Sequence, residues 1–279
     1  MADMALRYLG VAGWELTASS QRLLIDPYFT RMPLWKVLFG YATPDRKTIA
    51  RCIPHSVDGI LVSHAHYDHL MDVPEAARLT GVKVYASPQG CDLLKVLAVP
   101  TEQCVPLTSG RQVAVGCFTI EVYRTPHRLI FGRVPYQGPL RTDLRTPLHA
   151  SDYRMDEQYS FLISTGGIRI LIASGIDEEP PVKADVLMVG ADASQRQLAR
   201  ILSVTRPRVI LPNHWDDMFR PLHKPIRPMI RPTRGIAIPR RIDLHAWVQK
   251  VRRLAPEAQV VIPQHFARYE VRELLVVQT

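Results

Sequence analysis

A short apolar run that ends in a cluster of histidines most constrains how this chain can fold. Residues 59–63 (Gly-Ile-Leu-Val-Ser) are typical of a strand that is buried on both faces. The run leads directly into four polar residues, His64, His66, Asp68 and His69. Side chains at the carboxyl end of such a strand point into the crevice where open α/β sheets bind ligands. The run therefore predicts an α/β fold with a polar site at a strand end.

The four side chains at this strand end are of the types that bind divalent metal ions. Imidazole and carboxylate together suit Zn²⁺ or a similar borderline ion. In a strand-end turn His64 and His66 can point the same way, whereas Asp68 and His69, at the entry to the next helix, can serve a neighbouring site. A solvated polar loop is the alternative interpretation. We predict a site for one or two divalent ions, Zn²⁺ first and Mn²⁺ second.

Two further histidines follow apolar strands. His127 comes after a predicted strand at 118–123, and His214 comes after a predicted strand at 209–211. Either histidine alone would more often be an ordinary polar residue. Beside the first cluster, both become predicted ligands.

The order of predicted elements indicates the architecture. Strands are followed by βα units, then by strands and βα units again, which is typical of two mixed sheets with helices outside. We therefore predict a four-layer α/β sandwich (αββα). No linker divides the two halves, so residues 1–279 are predicted to form a single domain, with long loops at about 30–55, 128–156 and 216–241.

Local signals predict several details of these elements. The chain should open with a hairpin whose strands run from Ala5 to Val11 and over residues 23–25, with a turn near Gly13. Asp72 should cap a short helix that stops at Gly81. A helix is expected from about Leu244 to Leu254, followed by a last strand.

Charge and hydropathy narrow the possible partners. The formal net charge of +9 favours an anionic partner. Arginines and lysines between residues 220 and 241 are interleaved with prolines and form no dense run, so nucleic acid is not the expected partner, and nothing indicates an oligomeric state. Apolar runs stay below the ~20 residues that span a bilayer. With no signal-peptide pattern at the N-terminus and four widely spaced cysteines, we expect a cytoplasmic protein with free thiols.

The chain resembles the metallo-β-lactamase superfamily, and within it the lactonase-like branch. The resemblance is carried by residues 10–13 (Gly-Val-Ala-Gly), 24–27 (Leu-Ile-Asp-Pro), 63–69 and 211–214 (Leu-Pro-Asn-His). It covers nearly the whole chain, and residues 63–69 are its most specific part. The resemblance implies an αββα fold, a hydrolytic activity and usually two metal ions in the groove between the sheets.

The resemblance also implies a ligand set. His64, His66 and His127 would hold one ion, and Asp68, His69 and His214 the other. Two further aspartates enter on the same ground. Asp26 would accept an N–H from a ligand histidine, or else merely form a turn before Pro27.

The family usually carries a metal-bridging Asp directly after a Gly at a strand end. Here Ile176 occupies that place and cannot ligate. Asp177 is the predicted substitute and Glu178 a poorer one. Asp216 and Asp217 are fallback ligands, although solvation or helix capping is the simpler interpretation of both.

The implied reaction is attack by a metal-bound hydroxide on a carbonyl or phosphorus atom, with Asp68 orienting the nucleophile and relaying its proton. We expect a lactone, ester or phosphoester small molecule. Aromatic residues of the first long loop would line an apolar pocket or else cover core, and basic residues of the loops would receive an anion. These weaker candidates are Trp35, Phe39, Tyr41, Arg133, Arg141, Arg145, His149, Arg220 and His265.

Two other functions stay open from the sequence. One is a nuclease or phosphodiesterase of the same superfamily, which the positive net charge of the chain favours. The other is a non-catalytic metal-binding or ligand-sensing protein. The displacement of the bridging Asp from its usual position favours this alternative.

Overall fold

Sixteen strands and eight α-helices lie within the residues that the structure, a computed structural model, describes: 4–130, 132–175, 180, 182–233 and 236–276. The strands are β1 (Met4–Gly10), β2 (Gly13–Ala18), β3 (Gln21–Ile25), β4 (Gly59–Leu61), β5 (Val84–Ala86), β6 (Cys104–Pro106), β7 (Gln112–Val115), β8 (Phe118–Arg124), β9 (Tyr159–Thr165), β10 (Ile168–Ala173), β11 (Val186–Gly190), β12 (Val209–Asn213), β13 (Ile230–Thr233), β14 (Ile236–Arg241), β15 (Gln259–Val260) and β16 (Arg268–Glu270). The helices are α1 (Leu34–Phe39), α2 (Arg46–Cys52), α3 (Tyr67–Leu70), α4 (Val73–Thr80), α5 (Pro88–Val96), α6 (Gln195–Thr205), α7 (Leu244–Leu254) and α8 (Val271–Val276).

Two seven-stranded mixed sheets form the centre of the molecule. The first has the order β16-β1-β2-β3-β4-β5-β6 and the second the order β15-β12-β11-β10-β9-β8-β7. In each sheet the early strands pair antiparallel and the later ones parallel, except that the last strand, β16, pairs antiparallel with β1. The parallel strands bring several of their carboxyl ends to one edge of each sheet. The predicted metal ligands lie at these edges.

The two sheets pack face to face over one apolar core. Gly59 in β4 shows how closely they approach, since a Cβ on this residue would lie 2.7 Å from Cγ1 of Val115 in β7. The indole Nε1 of Trp14 in β2 donates to the side-chain oxygen of Asn213 in β12 (3.0 Å). Helices flank the paired sheets, which confirms the predicted four-layer αββα sandwich.

The first hairpin contains an additional strand, β2, where the sequence predicts only a turn near Gly13. β2 lies between β1 and β3, and its Glu15 is buried between two arginines, Arg7 of β1 (2.8 Å) and Arg22 of β3 (2.7 Å). A glutamate in a short segment is a weak strand signal, because its burial depends on cations supplied by neighbouring strands.

The long segments hold more regular structure than predicted. Residues 30–55 contain α1 and α2, and the side chain of Asp45 caps α2 by accepting from the Thr48 amide (3.1 Å). The β13–β14 hairpin lies inside 216–241, and β16 and α8 follow the predicted last strand. Helix α7 has the predicted bounds. Among the described residues, no helix is long and apolar enough to cross a bilayer.

Asp72 occupies the predicted N-cap position of α4, and Gly81 ends that helix with a left-handed φ of 71°. The carboxylate of Asp72 does not cap the helix, however. It turns to the preceding loop and accepts from the amides of Phe29 (2.6 Å) and Thr30 (2.8 Å). The prediction of a side-chain cap was therefore wrong, because the loop offers two amides that would otherwise be unpaired next to the core.

We expect the substitution Asp72→Ala to lower the free energy of unfolding by about 2–4 kcal/mol, because it leaves these two amides without an acceptor. Urea denaturation measures the loss. The matched control is Asp92→Ala on α5, whose carboxylate is exposed and pairs only with Lys95 among the contacts described. The control should lose less than about 1 kcal/mol. Equal losses for both variants would contradict this role of Asp72.

Candidate metal centre

The candidate ligands sit at strand ends of both sheets. His64 lies three residues after β4, and His66, Asp68 and His69 lie at the start of α3 or within it. His127 follows β8 by three residues, and His214 directly follows β12. Because the two sheets face each other, these ends meet in one crevice.

The crevice contains two groups of three side chains that could each hold a metal ion. One is His64, His66 and His127, and the other is Asp68, His69 and His214; within each group the ligand atoms lie within 4.8 Å of one another. These are the two sets that the family resemblance implies.

In each histidine of the first group, one ring nitrogen points away from the other two rings. This outer nitrogen meets a hydrogen-bond acceptor that orients the ring. The carbonyl of Pro135 accepts from His66 Nε2 (2.8 Å), and the carbonyl of Arg128 accepts from His127 Nδ1 (2.7 Å). The hydroxyl of Ser63 donates to Asp26 Oδ2 (2.6 Å) and so accepts from His64 Nδ1 (3.1 Å). Each ring therefore carries its proton on the outer nitrogen and turns a lone pair toward the other two. The lone pairs of His64 Nε2 and His66 Nδ1 then lie 3.0 Å apart. A metal ion that both nitrogens bind would explain this close approach.

In the second group, Asp26 orients His69. The buried carboxylate of Asp26 accepts from His69 Nδ1 (2.8 Å), which leaves Nε2 facing Asp68 Oδ2 at 3.5 Å. Asp26 also accepts from the amide and hydroxyl of Ser63 (2.7 and 2.6 Å). The carboxylate thus holds outer nitrogens of both groups, directly for His69 and through Ser63 for His64.

His214 has a different partner from the other four histidines. Its Nε2 lies 3.2 Å from Asp68 Oδ2, while Arg231 Nη2 lies 2.7 Å from its Nδ1. Arg231 is also bound to Asp192 (2.9 Å), which contacts Arg128 as well. Sequence reasoning missed these three residues. Asp192 could have been found as a polar residue that follows the end of a strand, β11. No such pattern marks Arg231, which lies in an irregular, basic segment of the sequence.

Burial and charge set the protonation of the centre. Burial lowers the pKa of His66 to about 4 and that of His127 to about 3, and it holds the pKa of His64 well below its ordinary value. Burial also lowers the pKa of His69, but the carboxylates of Asp26 and Asp68 outweigh it and raise the pKa overall. At neutral pH the three histidines of the first group are therefore neutral, as metal ligation requires.

Strained backbone occurs at the centre. Asp26 (φ 44°), Tyr136 (φ 46°) and His214 (φ 49°) are all left-handed without being glycine. Such conformations cost about 1–3 kcal/mol each and persist where the surroundings enforce them, often at functional sites.

Of the four remaining acidic candidates, the structure describes Asp216 and Asp217. Asp177 and Glu178 lie outside the described residues, so the bridging role of Asp177 stays a prediction. Asp216 is buried and accepts from Tyr8 (2.6 Å) and Arg31 (2.9 Å), and Asp217 pairs with Arg227 (2.7 Å). Solvation and helix capping were therefore wrong for both aspartates. Asp216 binds buried donors from distant segments, and Asp217 pairs with a half-buried arginine of its own segment.

The predicted substrate residues either contact other protein groups or are exposed. The ring of Tyr41 contacts the ring of His149 in a tilted arrangement with centroids 4.4 Å apart, and His149 Nδ1 binds the carbonyl of Gly40. Trp35 and Phe39 are 65% and 82% exposed on α1. Basic candidates behave similarly: Arg141 pairs with Asp143, Arg220 donates to the carbonyl of Pro225, His265 binds Asp216, and Arg133 and Arg145 are exposed. A role in substrate binding stays a prediction for this set.

Known proteins resemble this chain in sequence and fold. Residues 21–215 match the model of a family described as the beta-lactamase superfamily domain. A protein named UPF0173 metal-dependent hydrolase from Opitutus terrae is 26% identical over 270 residues, covering 93% of this chain and 97% of its own. Igni18, a metallo hydrolase from Ignicoccus hospitalis, has a similar structure (TM-score 0.57, 18% identity, 96% of this chain and 98% of that one). The metallo-beta-lactamase fold protein YhfI from Bacillus subtilis is similar too (TM-score 0.56, 15% identity, 97% and 100%).

We expect His66→Ala to weaken metal binding by at least about 100-fold, because substituting even the outer partner of a ligand typically costs 10- to 100-fold. The bound metal is measured by mass spectrometry after dialysis. His245→Ala on α7, an exposed histidine, is the control and should keep the full metal content. Normal metal content in His66→Ala would remove this residue from the centre.

We expect the free energy of unfolding of the metal-free protein to decrease as the pH drops below about 6.5, the ordinary pKa of histidine. The folded-state pKa values of His66 and His127 are lowered, so between pH 6.5 and about 4 the unfolded chain binds more protons than the folded one. Each such histidine destabilises the fold by about 1.4 kcal/mol per pH unit as the pH falls through this window, while the raised pKa of His69 offsets a part. Urea midpoints measured in chelator test this. His127→Gln should flatten the dependence, and a midpoint that rises toward pH 4.5 would contradict it.

Proposed function

Since this chain belongs to the beta-lactamase superfamily and is a metal-dependent hydrolase, we propose that it hydrolyses an anionic small molecule with a lactone, ester or phosphoester bond. The observation that carries the proposal is the orientation of His64, His66 and His127. Their outer nitrogens donate to Ser63, Pro135 and Arg128, and their inner lone pairs converge. Such a centre suits water attack on a carbonyl or phosphorus atom.

Three neutral imidazoles suit Zn²⁺ best, with Mn²⁺ as the second candidate. His64, His66 and His127 would hold this ion, and Asp68 and His69 lie ready beside it. When bound, a divalent ion lowers the pKa of water toward neutrality and polarises the substrate oxygen.

Asp68 is the proposed proton acceptor. Burial alone would raise its pKa, but His69 and His214 beside it outweigh burial and hold the pKa below its usual range. The carboxylate is therefore ionised at neutral pH, and its Oδ2 is fixed by His214 Nε2 at 3.2 Å. In this position Asp68 can orient a water molecule and take its proton during attack.

Tyr136 is a proposed donor to the substrate. Its half-buried ring lies 6.2 Å from the ring of His66, and the carbonyl of the preceding Pro135 holds His66 Nε2. Burial and the charge of Asp68 raise the pKa of Tyr136, so its phenol keeps its proton at neutral pH. It can then donate to an oxygen that gains negative charge.

The preference for an anion is supported by two arginines at the histidines. Arg128 directly follows His127, and Arg231 contacts His214; both contact the carboxylate of Asp192. Two guanidinium groups therefore lie beside the centre, where they can donate hydrogen bonds to an anionic group. Arg128 is the better candidate for contact with substrate, because a third of its side chain is exposed.

The experiment compares metal-stripped protein with protein reconstituted with Zn²⁺ or Mn²⁺. Lactones, p-nitrophenyl esters and bis-(p-nitrophenyl) phosphate serve as substrates, with the lactones and esters supplied as matched neutral and anionic pairs. We expect hydrolysis that chelator abolishes and metal restores. A loaded protein that hydrolyses none of them would overturn the proposal. Cleavage of RNA or DNA with steep salt dependence would replace it by the nuclease alternative.

Within this panel, Arg128→Leu should lower kcat/KM for the anionic member of the preferred pair by about 10- to 100-fold, the loss of one hydrogen bond to a charged group. The neutral member should change far less. Arg124→Leu, at the exposed end of β8, is the control and should leave both rates unchanged. Equal losses on both members would exclude a role for Arg128 in anion binding.

A further inference from the structure

The second group of ligands contains a mismatch that the first group lacks. A metal-binding histidine normally gives the N–H of its other nitrogen to a carboxylate, a carbonyl or water. His64, His66, His127 and His69 all follow this rule, with acceptors at 2.7–3.1 Å from their outer nitrogens. His214 is the exception among the five.

The outer nitrogen of His214 faces a group that can only donate. A guanidinium has five N–H donors, no acceptor and a permanent charge. Arg231 Nη2 lies 2.7 Å from His214 Nδ1, so Nδ1 must accept. A neutral His214 then carries its proton on Nε2, the nitrogen that would have to bind an ion, and donates it to Asp68 Oδ2 at 3.2 Å.

Arg231 is held firmly in this position. Its Nη1 donates to Asp192 Oδ2 at 2.9 Å, and its Nη2 also donates to the backbone carbonyl of His214 at 2.7 Å. Only 15% of its side chain is exposed. Turning the guanidinium away would therefore break three hydrogen bonds, including one to a carboxylate that contacts a second arginine.

The charge of Arg231 acts in the same direction as its donors. A fixed cation in contact with His214 repels a dication at that imidazole, and the repulsion is strong where water is excluded. The nearby first group has no guanidinium on any of its outer nitrogens. The two groups therefore differ in both tautomer and local charge, although each brings three ligand atoms together.

We propose that Arg231 makes the Asp68–His69–His214 group a weak metal site, so that the protein holds one ion tightly, at His64, His66 and His127. The second group then works as a hydrogen-bonded chain from Arg231 through His214 to Asp68, which positions the proposed proton acceptor. The inference rests on the proposed metal centre and adds the residue that sets its stoichiometry.

The test is a Zn²⁺ titration of stripped protein against a competing chelator, with metal counted by mass spectrometry. Wild-type protein should bind one ion tightly and a second at least about 100-fold more weakly. Arg231→Gln removes the charge and supplies a carbonyl oxygen to Nδ1, so it should tighten the second ion by about 10- to 100-fold. Arg231→Lys keeps charge and donors and should retain one tight ion.

Arg227→Gln is the matched control, because Arg227 pairs with Asp217 in the same basic segment. It should behave as wild type. Two ions of similar affinity in wild-type protein, or an unchanged second affinity in Arg231→Gln, would overturn the inference and leave the proposed hydrolase intact. Failure of wild-type protein to bind any ion would overturn both.

A measurement on wild-type protein covers the case in which Arg231→Gln does not fold. Nitrogen-15 spectra of the one-ion form report which nitrogen of His214 carries hydrogen. A proton on Nε2 is expected. A proton on Nδ1 would show that Arg231 does not face this nitrogen in solution, and the inference would fail.

Discussion

The buried carboxylate of Asp26 is the constraint on which the centre depends. It stands at the end of β3, and its own amide donates to the carbonyl of Leu61 at the end of β4 (3.0 Å). Its two oxygens accept from the amide and hydroxyl of Ser63 and from His69. One side chain thus joins two strand ends and sets the proton positions of two histidines. The left-handed backbone of Asp26 is tolerated because all of these contacts enforce it.

A second set of contacts joins the two halves of the molecule at the same edge. The amide of His214 donates to the carbonyl of Val11 (2.8 Å), and Trp14 in β2 donates to Asn213. Asp216 binds Tyr8 and the amide of Val11, both at 2.6 Å. The turn after β1 therefore positions the last histidine of the centre. Since the ligands come from both sheets, their geometry depends on how the sheets pack and not on either sheet alone.

Protonation follows from this packing. Excluding water from the histidines keeps them neutral, and the acceptors around them decide which nitrogen is left to bind an ion. Asp68 stays ionised in the same environment because two imidazoles face it. The contrast between Pro135, a carbonyl beside His66, and Arg231, a cation beside His214, shows how neighbours of the same crevice can favour an ion at one place and oppose it at another.

Local residue order was enough to predict much of the protein. The apolar run before His64, the strands before His127 and His214, and the Asp-Pro step at Asp26 all carry local signals, because strands and their ends are determined by nearby residues. The buried position of Glu15 and the helices of residues 30–55 escaped prediction. Their stability comes from partners and packing outside the local pattern.

Tertiary structure alone decided what surrounds each ligand. The carbonyl of Pro135 lies 69 residues from His66, and Arg231 lies 17 residues from His214 in a segment without clear periodicity. Sequence by itself determined which residue types stand at the strand ends. Folding decided which donor or acceptor each of them meets, because hydrogen bonds between distant segments depend on the three-dimensional path of the chain and leave no periodic trace in its order.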